Sequence, residues 1–117
     1  NAKAIVSEAI KNAQDPRVIV LEKYTPWKKT VHALSEQALY MVYPSQSGQW
    51  MIQTVPVEPG SFEDRKSLPK PWAGLSDAEL QAETGIKDAM FCHNGLFIAG
   101  TASFESTMKM AELALQE

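Results

Sequence analysis

The sequence predicts an α+β fold, a largely antiparallel or mixed sheet of about five strands covered by helices. Three observations carry this expectation. "ALYMVYPS" and "GQWMIQTVPV" are two strand patterns joined by the polar, glycine-bearing "SQSG", a hairpin signature. "AMFCHNGLFIAG" repeats the arrangement, with Asn94-Gly95 between two apolar runs. Helical periodicity marks both ends of the chain. Hairpins pair antiparallel, so an all-parallel doubly wound sheet is excluded.

In chain order, Val6, Ala9, Ile10 and Ala13 fall at i, i+3, i+4 and i+7, the stripe of an amphipathic helix that opens without a capping signal. "RVIVLE" (17–22) is an apolar, β-branched run flanked by charge, a buried strand. In "TPWKKTVHAL", Thr25 is placed to cap and Pro26 to occupy the first helical position, with Trp27, Val31 and Leu34 on one face. After the first hairpin and a long proline-rich stretch, Ser76 and Glu79 have the spacing of a capping box. Leu75 and Leu80 suit a hydrophobic staple, and Gly85 suits a left-handed stop. Asn94-Gly95 fits a type I′ turn, in which both central residues have positive φ. The closing helix carries Phe104, Met108, Ala111 and Leu115 as its stripe, capped by Ser103 or Thr101.

The chain has 117 residues, 44% hydrophobic and 21% charged, a composition and length suited to a single domain with its own core. A net charge of −3 supplies no general field for nucleic acid, so contact with phosphates would be local. Cys92 is the single cysteine, so no internal disulfide forms, and a small buried hydrophobe is its ordinary role. No apolar run approaches the ~18 residues of a membrane span, and no signal-peptide pattern opens the chain. Starting at Asn1 within a helical pattern, the chain reads as cut from a longer protein, or as led by a scar at residues 1–2. Residues 1–16 are then an N-terminal helix or linker, and 17–117 the domain proper.

Self-contained catalysis finds little support. His32 and His93 are the only histidines and sit in no metal-ligand spacing. G-x-S-x-G, G-x-x-x-x-G-K-[ST] and G-x-G-x-x-G are all absent. What remains could hold an anion or a base: His93 at a hairpin tip near Gly95, Gly100 before the last helix, Arg65 and Lys66, and Trp27 beside Lys28 and Lys29. Each has an ordinary reading as well, as a solvated tip, a wet helix face or a packed tryptophan. The irregular "VPVEPGSFEDRKSLPKPWAGL" (55–75) holds four of seven prolines. A connection of that length is often functional, and here it reads as a stiffened surface strap presenting Arg65.

Taken together, "VLEKYTPWKK", "GQWMIQTVPVEPGSFEDRKSLPKPWAGLSDAEL", "TGIKDAMFCHNGLFIAG" and "MKMAELAL" resemble the C-terminal part of the melanocyte-proliferating-gene (Myg) family. These proteins are relatives of DHH-type phosphoesterases, described as metal-dependent 3′–5′ RNA exonucleases. The resemblance implies a fold like the DHH-associated C-terminal domain and an intracellular setting, cytoplasmic in a bacterium, mitochondrial or nuclear in eukaryotic relatives. It implies that Mn²⁺ or Mg²⁺ is held by an N-terminal metal-binding domain of the same polypeptide, a partner of this one. By the same resemblance, this chain holds neither metal ligands nor catalytic residues, and it grips single-stranded RNA or a nucleotide without touching a membrane. The family pattern falls on Gly60, Ser61, Phe62 and Arg65, then on Leu68, Pro69, Pro71, Trp72, Gly74 and Leu75, then on His93. The implied substrate-facing residues are Gly60, Ser61, Arg65, Trp72, His93 and Gly100, with Trp27 and Lys28. Ala99 stands where the family has glycine, adding a methyl where backbone would approach a ligand. The alternative is a non-catalytic interaction module with the same fold.

Overall fold

The periodicities resolve into strands and helices close to where the sequence sets them. In the computed structural model, which describes residues 1–117, the chain runs α1 (Ala2–Asn12), β1 (Val18–Val20), α2 (Lys28–Leu34), β2 (Tyr40–Pro44), β3 (Trp50–Thr54), a 3-10 turn (Lys70–Trp72), α3 (Asp77–Thr84), β4 (Ala89–Cys92), β5 (Ile98–Thr101) and α4 (Phe104–Leu115). The strands form one mixed sheet in the order β1-β2-β3-β5-β4, parallel only between β1 and β2. The α+β expectation holds, with five strands covered by helices.

Alternation along each strand divides the side chains between two cores. Val18, Tyr40, Val42, Ile52, Ala99 and Cys92 face α3 and α4, where they meet Leu80, Met110, Ala111 and Ala114 in a cluster of 14 buried residues. Ile19, Leu21, Met41 and Tyr43 face the other way, against Val6 of α1 and Val31 of α2, in a cluster of 9. Burying one such aliphatic side chain stabilises by about 1.5–3 kcal/mol, so both clusters matter to folding.

Several local expectations need correction. Asn1 does cap α1: its side-chain oxygen accepts from Ala4 N–H at 2.8 Å. Thr25 does not cap α2, because its hydroxyl donates to Lys23 C=O; Trp27 occupies the cap position, and Pro26 lies outside the helix. Leu34, 52% exposed, leaves the stripe that Trp27 and Val31 keep. Ser76 stands at the cap of α3 but makes no side-chain bond there. It is held instead as an extra bridge beside Phe91, and Asp77 enters the helix at φ +44, which removes the capping-box geometry. Gly85 does end α3 in the left-handed region, at φ 74. In α4 the fully buried stripe is Thr107, Met110, Ala111 and Ala114, while Phe104, Met108 and Leu115 lie at its margin, partly buried. Ser103, not Thr101, caps this helix, accepting from Ser106 N–H.

Candidate functional site

The strap 55–75 is tied across one end of the sheet by its own backbone. Arg65 N–H donates to Val55 C=O, and Val57 N–H to Glu63 C=O, so 57–63 folds into a narrow turned loop. Leu68 N–H then donates to Leu96 C=O at 3.0 Å, and Tyr40 Oη donates to Ser67 C=O at 3.1 Å. These bonds satisfy the polar backbone that a long connection would otherwise leave unpaired.

The strap does not hold Arg65 outward. Its Nη1 donates to Ser35 C=O at 2.7 Å and to Ala38 C=O at 2.9 Å, pinning the turn between α2 and β2. Its Nε and Nη2 make no hydrogen bond to protein, and the residue is half-buried. Gly60, at φ +86, and Ser61, whose Oγ accepts from Glu63 N–H, shape the loop tip. Phe62 projects from that tip fully exposed. Trp72 and Trp27 are core residues in opposite clusters, 4% and 2% exposed. Lys28 is exposed, its Nζ 6.0 Å from the centroid of the Trp27 ring. The eight residues singled out from sequence therefore do not form one constellation.

His93 is exposed and oriented. Its Nδ1 accepts from Gly95 N–H at 2.8 Å, and because an amide can only donate, Nδ1 carries no proton in this arrangement. The neutral ring then has its proton on Nε2, which has no protein partner. The Phe97 ring packs against the imidazole with centroids 4.5 Å apart, steadying it further.

The turn that carries His93 differs from the type I′ expectation. Neither Asn94 nor Gly95 has positive φ; Leu96 has it, at 62°. Leu96 N–H donates to His93 C=O, and His93 N–H to Ile98 C=O. The loop is longer than two residues, of the kind in which an ordinary turn is followed by one left-handed residue. A two-residue turn at Asn94-Gly95 would set Phe91 opposite Ile98. The observed register sets Phe91 opposite Gly100.

That register builds a feature absent from the sequence reading. Gly100 lies within β5, shortly before α4, on the sheet face turned away from α3 and α4. A Cβ at Gly100 would stand 2.7 Å from Phe91 Cε1 and 3.2 Å from Met51 Sδ. The missing side chain is what lets the Phe91 ring lie across the strand. Met51, Gln53, Phe91 and Ile98 are all half-buried on this face, and the helices in main contact with β3, β5 and β4 are α4 and α3, on the opposite side. Ala99 points the other way, fully buried in the larger core, so its methyl does not meet a ligand on the open face. The signal that could have found Phe91 is its alternation with buried Cys92, but recognising its glycine partner required the register.

Electrostatics at this end of the sheet are local. Partial burial pushes the Asp64 carboxyl above its ordinary range, while the Thr54 hydroxyl and the Lys28 ammonium pull it back. Burial pushes the Tyr40 phenol up to about 12, with the Asp64 charge adding to the rise. The Cys92 thiol, raised by burial to about 11, is protonated at neutral pH, which fits a packing role. No group of three or more His, Cys, Asp or Glu side chains is placed to hold a metal ion. The residues present therefore do not fit a metal centre.

Comparison with known proteins gives one consistent answer. The profile of an uncharacterised protein family, UPF0160 (MYG1 exonuclease), matches residues 1–115. The MYG1 protein of Saccharomyces cerevisiae is 34% identical over 97% of this chain and 37% of its own length. The MYG1 protein of Schizosaccharomyces pombe is 35% identical over 97% of the chain and 37% of its own length. The MYG1 exonuclease of Homo sapiens is 36% identical over 99% of the chain and 34% of its own length. The chain thus spans about a third of the length of these curated relatives. No solved structure matches it. With a profile match across almost all of its residues and relatives of this identity along its whole length, the chain belongs to the MYG1 exonuclease family.

Proposed function

We propose that these residues form the non-catalytic, substrate-holding part of a metal-dependent phosphodiesterase acting on single-stranded RNA. The observation that carries this reading is the open face of β3, β5 and β4, where Phe91 lies over Gly100 and the His93–Phe97 pair closes one end. Aromatic rings on an otherwise open sheet suit unstacked bases, and each base–aromatic stack is worth about 1–3 kcal/mol. His93 Nε2–H is free to donate to a phosphate or ribose hydroxyl. Lys28 and the uncommitted N–H groups of Arg65 offer local positive charge in a chain of net charge −3. Metal-assisted attack on the phosphodiester belongs, on this reading, to Mn²⁺ or Mg²⁺ held by another domain of a family-length polypeptide. An intracellular setting goes with that substrate.

Fluorescence anisotropy with a short labelled RNA tests the proposal. The 117-residue chain is expected to bind weakly and less tightly as salt rises, with His93→Ala and Phe91→Ala each weakening binding about tenfold and no cleavage in Mn²⁺. Arg65→Ala answers a separate question. It strips a charged donor from two carbonyls, so it should lower stability by roughly 2–3 kcal/mol whatever it does to binding. Equal affinity in wild type and both ring variants, all shown to be folded, would remove the open face from the site.

A further inference from the structure

The two outer edges of the sheet are finished differently. Beyond β4, residues 74–76 act as a further rung: Gly74 N–H donates to Cys92 C=O, and Cys92 N–H to Leu75 C=O. Beyond β1 only the start of the strand is covered, by an antiparallel bridge of Asp15 to Val18. Arg17 C=O accepts from Tyr40 N–H, and Leu21 N–H donates to Val42 C=O. Alternation therefore turns the polar groups of Arg17, Ile19 and Leu21 toward β2 and those of Val18 and Val20 away from it. Val18 N–H is used by Asp15 C=O. Both backbone groups of Val20 are left facing outward, past the Asp15–Val18 bridge.

This edge is the floor of a groove of about 1680 Å³ between α1 and α4. Ile5 and Ala9 line one wall, and Phe104, Met108 and Leu115 line the other. Ile5 is 42% exposed, and Phe104, Met108 and Leu115, which pack against the core but are only partly buried, face here. Natural edge strands are usually blunted by charge, proline or a bulge. β1 itself is Val-Ile-Val, with charge only at its flanks.

We infer that the open edge of β1 is a strand-addition site for an extended apolar segment with basic flanks, supplied by the part of a family-length polypeptide that lies outside these 117 residues. Outward amide and carbonyl groups give the added strand main-chain partners, and the apolar walls take its alternate side chains. The rim sets the charge of the occupant: Glu8, Glu22, Glu105 and Glu112 outnumber Lys23 and Lys109, while Arg17 is bonded to Asp15 at 2.8 Å. A carboxylate-rich rim repels nucleic acid and favours lysine or arginine beside the apolar residues. The relatives are about three times the length of this chain, so the family polypeptide has ample sequence to supply such a strand. The inference is independent of the RNA-binding reading, since the two surfaces share no residue.

Amide hydrogen exchange, measured on the 117-residue chain and on a family-length polypeptide containing it, is the test. Val20 N–H is expected to exchange freely in the short chain and at least tenfold more slowly in the long one. Val20→Pro removes that outward donor without breaking the β1–β2 ladder. Met108→Glu leaves the backbone intact and charges the wall. Each variant should leave the short chain folded; in the long polypeptide, Met108→Glu should return Val20 N–H, and Val20→Pro the groove-lining amides of α1 and α4, to the exchange rates of the short chain. If Val20→Pro proves unstable for reasons of backbone shape, Met108→Glu decides alone. Equal Val20 exchange in both lengths overturns the inference. So does concentration-dependent association of the short chain that Met108→Glu abolishes, which would assign the edge to a second copy.

Discussion

One set of five strands presents two faces that are covered unequally. Toward α3 and α4, Tyr40, Ile52, Ala99 and Met110 are inaccessible to solvent and the packing is continuous. On the opposite side α1 and α2 cover β1 and β2, and beyond them Met51, Gln53, Phe91 and Ile98 lie half-open. The contrast separates two uses of the same alternation. Residues at even positions of β3 hold the fold together, while Met51 and Gln53 at odd positions stay half-open on the other side.

The largest effect that would sharpen this contrast lies on the sealed face. Ile52→Ala removes buried methyl groups from the middle of the sheet and should cost about 3–4 kcal/mol in chemical denaturation, a large share of the 5–15 kcal/mol typical of a domain. A loss under 1 kcal/mol would mean that the sealed face is not where stability resides.

Next in size is an alkaline effect that reaches both faces, since Tyr40 belongs to one cluster and Tyr43 to the other. Burial pushes both phenols up to about 12, helped by Asp64 at Tyr40 and by Tyr24 at Tyr43. An unfolded tyrosine ionises near pH 10, so the folded state holds these protons longer. The contribution is complete below about pH 10 and is lost as the pH climbs toward 12, at most roughly 2–3 kcal/mol per tyrosine. Denaturation curves from pH 8 to 11.5 should show that decline, and Tyr40→Phe and Tyr43→Phe should each flatten it. A slope unaffected by either change would place the loss elsewhere.

The smallest change in stability belongs to the open face. Phe91→Ala should cost only about 1 kcal/mol, because the ring is half-exposed, while weakening RNA as described above. Gly100→Ala should displace the same ring and cost a comparable amount. In Phe91→Ala the new methyl at position 100 is relieved of its shortest contact, so the cost of Gly100→Ala should shrink. Additive costs in the double variant would show that the two residues do not touch.

Those predictions rest on contacts of unequal legibility. Element existence could be read from residue periodicity, because a side-chain repeat of two or of 3.6 is a local property. Gly85 could be read as a helix stop for the same reason. Asn94-Gly95 was misleading: the dipeptide suits a type I′ turn, yet Leu96 takes the left-handed conformation and moves the register by two residues. The resemblance set Trp72 and Arg65 on a family pattern and Trp27 in a neighbouring block, but such a match does not distinguish a residue that meets substrate from one that holds the segment in place. Here both tryptophans are packed, and Arg65 spends one nitrogen on Ser35 and Ala38.

Taken alone, the order of residues determined the α+β class, the two hairpins, a cap for the last helix at Ser103 or Thr101, the stop at Gly85, and the family to which the chain belongs. These follow from local spacing and from blocks of sequence, neither of which needs a third dimension. Only the tertiary structure decided which face of the sheet stays open, that Gly100 makes room for Phe91, that His93 presents Nε2 outward, and that β1 ends the sheet with unpaired backbone groups. Each depends on pairing between residues far apart in the chain, and strand register and helix placement are set by the packing of the whole core rather than by any segment within it.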